Sequence, residues 1–255
     1  MDGVVQTGAV PATGAVAEPP VVVARDATYG RPGYRSFRFA SATVGAGACT
    51  AILSSEHAAA RDFLLACAGL VRPTAGSLVV AGIELAAGAG AAEASLTERA
   101  RAAWRQMRRA RWPRGTVGVG AVSGLAVPAS SLTVAEAVRH ECGSVSSGEL
   151  LGYLGRFRLA TSTDQQVGSV SPMERAYLSA ALACSGEPRL AVVDLADGFC
   201  DGMSGAQAAR VVRDLSAWAH ESGMAVLVAV ADPAAARAAD AVCALDIEAE
   251  EAMGR

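Results

Sequence analysis

The chain has 255 residues, of which 52% are hydrophobic and 18% charged, so it is long enough to bury a sizeable core and too apolar to be disordered throughout. Its formal net charge of -3 provides no general attraction to nucleic acid or to an anionic membrane. All 22 basic residues are arginine, which excludes any mechanism that needs a lysine ammonium or a lysine Schiff base.

The cysteines and the N-terminal segment bear on where the protein works. The six cysteines form no C-x-x-C pair and most lie in apolar runs, which predicts reduced core thiols in a cytosolic protein. The three histidines do not flank a cysteine pair at ligand spacing, so we expect no zinc site. Residues 1–20 lack a continuous apolar stretch and predict a disordered tail, not a signal peptide. No uncharged apolar run reaches the roughly 18 residues of a membrane span, so any membrane association must come through a partner.

Along the chain, short apolar strands alternate with helices. The predicted strands span 21–24, 35–44, 48–53, 77–81, 115–121, 190–194 and 225–230. The predicted helices span 58–70, 99–111, a segment from 133, 147–159, 171–184, 204–220 and an Ala-rich stretch after Pro233. Capping boxes such as that of Ser171 and Glu174 set several helix starts. This alternation predicts a parallel sheet covered on both faces, with the helical cluster between 123 and 184 as an insert.

Four stretches follow a more specific pattern: LACAGLVRPTAGSLVVAGIEL (65–85), LTVAEAV (132–138), ALACSGEPRLAVVDLADGFCD (181–201) and GMAVLVAVADPAAARAADAVCAL (223–245). The first has a helix ending in A-G-L-x-x-P-T-x-G before a strand, and the third has a buried strand that ends in an acid. The order and spacing of the four resemble the nucleotide-binding domain of ATP-binding cassette (ABC) transporters, from Val21 to about Leu245.

The resemblance implies an α/β fold: the P-loop NTPase (RecA-like) ABC ATPase fold, with an N-terminal antiparallel β portion and a helical subdomain insert. The core with its antiparallel portion would comprise 21–122 and 185–250, and the helical subdomain with the signature motif would comprise 123–184. Members of the family bind ATP and Mg²⁺, pair with a second ATPase subunit and work on a membrane permease. The resemblance therefore implies a cytoplasmic protein that is peripheral at the inner face of the cell membrane through a partner.

The family's P-loop falls on a segment that lacks its phosphate-binding residues. Its two glycines, its lysine and its magnesium-binding Ser/Thr become, in order, Ser54, Ala59, Ala60 and Arg61. Alanine lacks the freedom of φ that glycine has, so we expect a helix that begins early and fills the phosphate nest. Glu56 and Asp62 add negative charge where phosphates would lie, so the degenerate P-loop spans Ser54 to Asp62.

The remaining catalytic positions of the family are also changed. The glutamine that couples magnesium to the insert falls on Val122, the general-base glutamate on Leu195 and the switch histidine on Ala231. The signature L-S-G-G-Q falls on 168–172 and keeps only Ser169. Leucine can neither orient nor deprotonate water, so we expect no catalytic residue in this chain.

A few positions keep a residue that could still act. Asp194, at the Walker B position, would hold a magnesium-bound water, or else bond only to neighbouring backbone N–H groups. Asp201 stands where the family contacts its partner subunit, and it could instead cap the following helix. Residual nucleotide contacts would come from Tyr29, Arg61 and Ser169, although Tyr29 and Ser169 could equally be ordinary loop residues.

Two further features have an ordinary interpretation. His57 lies in the degenerate loop without an evident nucleophile, which favours a surface histidine. The arginine-rich helix at 99–114 contains tryptophans, yet its arginines spread around several faces, which favours a solvated helix docked by its aromatic side. We therefore expect no nucleic-acid partner, and the role of this helix stays open.

These observations favour a degenerate ABC transporter ATP-binding subunit, a pseudo-ATPase with no required cofactor and at most weak affinity for ATP and Mg²⁺. Its expected partners are an ABC permease or another polytopic membrane protein, and an intact ABC ATPase subunit or a second copy of the chain. Two alternatives stay open. One is an ATP-hydrolysing transporter subunit that uses a composite site, and the other is a free-standing cytosolic interaction or scaffold protein.

Overall fold

The computed structural model describes residues 18–31, 34–85, 115–142 and 146–254. The strands are Val22–Arg31 (β1), Tyr34–Val44 (β2), Cys49–Leu53 (β3), Ala75–Val80 (β4), Ile83–Glu84 (β5), Val117–Val119 (β6), Leu190–Asp194 (β7), Ala225–Val230 (β8) and Ala241–Ala244 (β9). The α-helices are His57–Cys67 (α1), Val134–Cys142 (α2), Ser147–Arg156 (α3), Pro172–Ala183 (α4), Gly205–Ser222 (α5), Pro233–Ala236 (α6) and Ile247–Gly254 (α7). Short 3-10 helices span Ala160–Ser162 and Gly198–Cys200.

The strands form two sheets of different character. The N-terminal sheet is antiparallel, with the order β2-β1-β4-β5. The second sheet is parallel throughout, with the order β6-β7-β8-β3-β9. The predicted α/β architecture with an antiparallel portion is therefore confirmed.

The parallel sheet separates two hydrophobic clusters, because side chains of a strand alternate between its two faces. In β7, Leu190 and Val192 join the cluster that also contains α1 and the antiparallel sheet. Ala191 and Val193 of the same strand face the other cluster, which contains α5 and the helices α2 to α4. All five residues of β7 are buried, as expected for a strand covered on both faces.

The helices α2 to α4 follow β6 in the chain and precede β7, so they form the insert that the sequence predicts. Capping boxes start α3 and α4, and Ser171 caps α4 as expected. Gly118 in β6 and Gly120, which follows this strand, allow α4 to pack closely against the backbone of β6. A Cβ on Gly118 would lie 1.8 Å from the carbonyl oxygen of Ala183, and one on Gly120 would lie 2.5 Å from Ser179 Oγ. Glycine is needed at both positions because any side chain would force the helix away.

The sequence predictions need correction in two places. The strand predicted at 21–24 is longer than expected, because β1 continues to Arg31 and contains Tyr29, so Tyr29 is not a loop residue. The predicted Ala-rich helix after Pro233 is present as α6, but it is not the final element, because β9 and α7 follow it and were not predicted. The helix ends because Asp240 is drawn to β3: its N–H donates to the Cys49 carbonyl, and its carboxylate accepts from the Cys49 N–H at 2.8 Å.

Part of the chain lies outside the described residues: 1–17 of the expected tail, and 86–114, which includes the arginine-rich helix predicted at 99–114. Among the helices that are described, none is long and apolar enough to cross a membrane.

Candidate functional site

The segments that follow four parallel strands meet at one edge of the sheet. In register, Leu53 of β3 lies beside Val230 of β8, and Asp194 of β7 lies beside Ala229. The carboxyl ends of parallel strands are where open α/β sheets place their ligand sites. The candidate site is therefore the edge formed by the chain after β3, β6, β7 and β9.

After β3 the chain enters α1 almost at once. Leu53 ends the strand and α1 begins at His57, so the helix starts three residues before Ala60. This agrees with the prediction of an early helix at the P-loop position. Ala59 and Ala60 are buried in α1, and the Ala59 N–H donates to the Glu56 carbonyl at 2.9 Å. The backbone N–H of Ala59 is therefore bonded within the first helical turn.

The carboxylate of Asp246 accepts hydrogen bonds from the loop between β3 and α1. Asp246, directly before α7, accepts from Ser54 Oγ at 2.7 Å and from the Ser55 N–H at 3.0 Å. Ser54 Oγ also accepts from the Glu56 N–H at 3.1 Å. Burial acts to raise the pKa of Asp246, but the hydrogen bonds from Ser54, Ala249 and Ser55 outweigh it and lower that pKa. Asp246 thus remains an anion bonded to the loop. This contact was not predicted, because β9 and α7, which position Asp246, were not predicted.

His57 contacts the buried acid at the end of β7. Its Nε2 lies 2.9 Å from Oδ2 of Asp194, whose side chain is fully buried, while the His57 side chain is 36% exposed. The hydrogen bond with Asp194 raises the pKa of His57, which favours the imidazolium form beside the carboxylate. The interpretation of His57 as an ordinary surface histidine is therefore wrong. The other Asp194 oxygen accepts from the Ala196 N–H at 3.1 Å, so the expected backbone bond exists as well.

Asp197 is a site residue that the sequence reasoning missed. It is 1% exposed and accepts three hydrogen bonds: from Ser123 N–H at 2.9 Å, Ser123 Oγ at 2.6 Å and Phe199 N–H at 2.8 Å. Burial opposes its ionisation, but the bonds from Ser123 and Phe199 outweigh burial and lower the pKa of Asp197. Ligand atoms of His57, Asp194 and Asp197 all lie within 4.8 Å of one another. The repeated acid in D-L-A-D was the one available sequence signal.

The family's catalytic positions are apolar here. Leu195 is 6% exposed and Val122 is 2% exposed, and both belong to the buried core. Ala231 follows β8 and lines, with Leu195 and Asp201, a cavity of about 560 Å³. Neither Leu195 nor Ala231 carries a group that could take a proton from water or stabilise a leaving phosphate.

The three residues expected to contact nucleotide lie in different elements: Tyr29 in β1, Arg61 in α1 and Ser169 in the turn before α4. Tyr29 is 7% exposed in β1, where its ring packs 6.1 Å from that of Phe37, which leaves little ring surface for adenine. Ser169 is exposed, and its Oγ donates to the Gln166 carbonyl in its own turn. Arg61 Nε lies 3.9 Å from the Asp62 carboxylate. Asp201 follows the 3-10 helix at Gly198–Cys200 and lines the cavity with Leu195.

These contacts do not fit a bound triphosphate with Mg²⁺. A phosphate nest needs inward backbone N–H groups and a cationic side chain, whereas the Ser55 N–H bonds to a carboxylate and position 60 is a buried alanine. Among the described residues, His57, Asp194 and Asp197 form a group at this edge whose possible ligand atoms lie within 4.8 Å of one another.

Solved structures similar to this chain are cassettes of ABC transporters. The cbiO1 cassette of Clostridium perfringens, part of the ABC transporter complex cbiONQ, aligns with a TM-score of 0.61 at 13% sequence identity and covers 93% of this chain and 92% of that chain. A dimeric bacterial ABC transporter cassette aligns with a TM-score of 0.59 at 17% identity, over 88% of this chain and 94% of that chain. An ATP-binding subunit of an ABC transporter aligns with a TM-score of 0.57 at 19% identity, over 88% and 85%.

No protein-family model matches the sequence, and no curated protein matches it either. The likeness is therefore one of fold. By its two sheets, its helical insert and its structural neighbours, this chain has the fold of the ABC ATPase cassettes, a P-loop NTPase fold.

Proposed function

We propose that this chain is a degenerate ABC-type ATP-binding subunit, a pseudo-ATPase that neither hydrolyses ATP nor requires it. It acts as a structural or regulatory partner of a membrane permease or of an intact ABC ATPase subunit. The role is one of binding, located in the cytoplasm and peripheral to the membrane through that partner.

The observation that carries this proposal is the state of the loop after β3. Its Ser55 N–H and Ser54 hydroxyl bond to the Asp246 carboxylate, and α1 has already begun at His57. A phosphate would have to displace an internal anion that is covalently part of the chain, which makes the competing carboxylate effectively always present. The buried Leu195 then removes the general base that hydrolysis requires.

Exposed apolar side chains support a docking role. Leu125 and Val127, beside the bridge between Val122 and Ala126, are 54% and 46% exposed, and Leu151 on α3 is 50% exposed. Large apolar side chains in solvent are typical of surfaces that a partner covers. One similar structure belongs to a complete transporter complex and another is dimeric, and both kinds of partner suit a chain of this fold.

The nucleotide part of the proposal is tested with purified full-length protein. We expect no thermal shift and no binding of a fluorescent ATP analogue with Mg²⁺ at millimolar concentration, and no ATP turnover above background. Steady turnover that Asp194→Ala abolishes would contradict the proposal and favour the composite-site ATPase.

The partner part is tested by recovery from detergent-solubilised membranes of the native cells. We expect a polytopic membrane protein or an ABC ATPase subunit to co-purify, and Leu125→Ser with Val127→Ser to reduce its recovery. Phe39→Ser is the matched control, because Phe39 is an apolar side chain that is 72% exposed on β2 of the antiparallel sheet. An equal loss of recovery with Phe39→Ser would show that docking is not specific to the surface at Leu125 and Val127. Recovery of neither class of partner would favour the free-standing scaffold protein instead.

A further inference from the structure

We propose that His57, Asp194 and Asp197 bind a divalent transition-metal ion of the Zn²⁺ class. The three ligands come from two separate segments, the start of α1 and the chain at and after the end of β7. This is a site that the fold positions, since His57 and Asp194 are 137 residues apart in the chain.

The three ligand atoms are close to the spacing that a metal requires. His57 Nε2 lies 2.9 Å from Asp194 Oδ2, and all three ligand atoms lie within 4.8 Å of one another. Bond lengths near 2 Å in a tetrahedral zinc site place ligand atoms about 3.3 Å apart. Small rotations of the side chains are therefore enough to enclose an ion, which would replace the hydrogen bond between His57 and Asp194.

Hydrogen bonds from neighbouring groups orient the carboxylates of Asp194 and Asp197. Asp194 Oδ1 accepts from the Ala196 N–H, and Asp197 accepts from both groups of Ser123 and from the Phe199 N–H. Hydrogen bonds of this kind orient metal-binding carboxylates, and they leave further lone pairs on the oxygens.

The charge at the site also favours a dication. Asp194 and Asp197 are 0% and 1% exposed, and one half-exposed imidazole faces them. Arg61 also acts electrostatically on His57, but its Nε lies 3.9 Å from a different carboxylate, that of Asp62. Buried anions require compensation, which an ion entering past the exposed edge of His57 would supply.

The ligand set points to zinc-like ions. An imidazole with two carboxylates suits Zn²⁺ and related ions, whereas Mg²⁺ prefers oxygen ligands alone. The site shares Asp194 with the implied magnesium role but differs from it, because the other two ligands, His57 and Asp197, have no part in that role. Cys200 lies nearby but is not one of the three clustered ligands, and its Sγ donates to the Asp194 carbonyl at 3.8 Å.

The proposal is tested on the untagged full-length chain after removal of metal by a chelator. In calorimetric titration we expect one Zn²⁺ per chain, bound more tightly than roughly 100 μM. Co²⁺ should bind at the same site and show visible absorption bands. His57→Gln should weaken zinc binding by about 100-fold or more, and Ser123→Ala, which removes one orienting hydroxyl, by about 10-fold.

The chain offers a matched control in a second histidine–aspartate pair. His220 Nε2 lies 3.2 Å from Asp240 on the surface, so His220→Gln should leave zinc affinity unchanged. Asp197→Asn should also weaken zinc binding, because it removes one carboxylate ligand. If that variant fails to fold by circular dichroism, His57→Gln still decides the matter, because His57 is partly exposed. Equal zinc affinity of the two histidine variants would overturn the site, and equal affinity for Mg²⁺ would overturn the class of metal. Neither outcome depends on whether the chain binds ATP.

Discussion

The starts of two helices, α1 and α4, stand where the family's P-loop and signature would be, and they are built in different ways. Ser171 caps α4, with the Glu174 N–H donating to Ser171 Oγ at 3.3 Å and the Ser171 N–H donating to the Glu174 carboxylate at 2.8 Å. Glu56 precedes α1 and makes no side-chain cap. The start of α4 is therefore stabilised by neighbouring residues in the sequence, whereas the start of α1 depends on residues that are distant in the chain.

The two helix starts satisfy their N–H groups in different ways. At α4 a reciprocal capping box satisfies the orphan N–H groups that a phosphate would otherwise meet. At α1 the loop is held by Asp246 and the first turn is held by burial of Ala60. We therefore expect changes at α1 to act through tertiary contacts, and changes at α4 to act through the cap.

The largest effect is expected when a lysine is placed at the P-loop position by Ala60→Lys. Ala60 is 1% exposed in the cluster that contains Phe63 and Leu64, so a long charged side chain would overpack it. We expect a loss of about 3 kcal/mol in the free energy of unfolding, measured by urea denaturation. ATP binding should not appear.

Ala58→Lys is the matched control for this change, because Ala58 lies in the same turn and is only partly buried. It should change stability by less than about 0.5 kcal/mol. A stable Ala60→Lys variant that binds ATP tightly would show that the loop is still a phosphate nest.

The second effect is expected from Asp246→Ala, which removes the acceptor of Ser54 Oγ and of the Ser55 and Ala249 N–H groups. Hydrogen bonds to a carboxylate are stronger than neutral ones, so we expect a loss of about 2 kcal/mol. Thermal and urea denaturation at pH 7 measure it. An unchanged midpoint would mean that the loop does not need this anion.

The same carboxylate predicts a pH dependence of stability. Since the pKa of Asp246 is lowered in the folded state, its contribution is present above the unfolded value of about 3.9 and is lost as pH falls through the folded pKa. The wild type should therefore lose more stability below about pH 4 than Asp246→Asn does. Parallel curves for the two proteins would contradict this.

A smaller effect is expected at α4 from Ser171→Ala. Loss of the cap should cost about 1 kcal/mol of unfolding free energy. Ser169→Ala is the control, because its hydroxyl bonds within an exposed turn and its removal should cost less than about 0.5 kcal/mol. Equal costs at the two serines would mean that the capping box adds nothing.

The same contrast explains what could be predicted from the sequence. The strand Leu190–Asp194 and the start of α4 were predicted correctly, because an apolar run and a capping box are local signals. The contact between Ser55 and Asp246 joins residues 191 apart, and that between His57 and Asp194 joins residues 137 apart. No local pattern encodes such pairs, so the residue types at the family positions could be assigned from the sequence, whereas the contacts that those residues make could not.

The smallest effect is expected from giving α1 the cap that it lacks, by Glu56→Ser. Glu56 has an extended backbone, with φ −107° and ψ 108°, which is the conformation of an N-cap residue. A serine hydroxyl there could accept from the Ala59 N–H, which now donates to the Glu56 carbonyl. Glu56→Ala removes the same charge without adding a cap, so it is the matched control. We expect the serine variant to be more stable than the alanine variant by about 0.5–1 kcal/mol in urea denaturation. Equal stability would mean that tertiary contacts alone set the start of α1, and that this helix differs from α4 in kind and not merely in its missing cap.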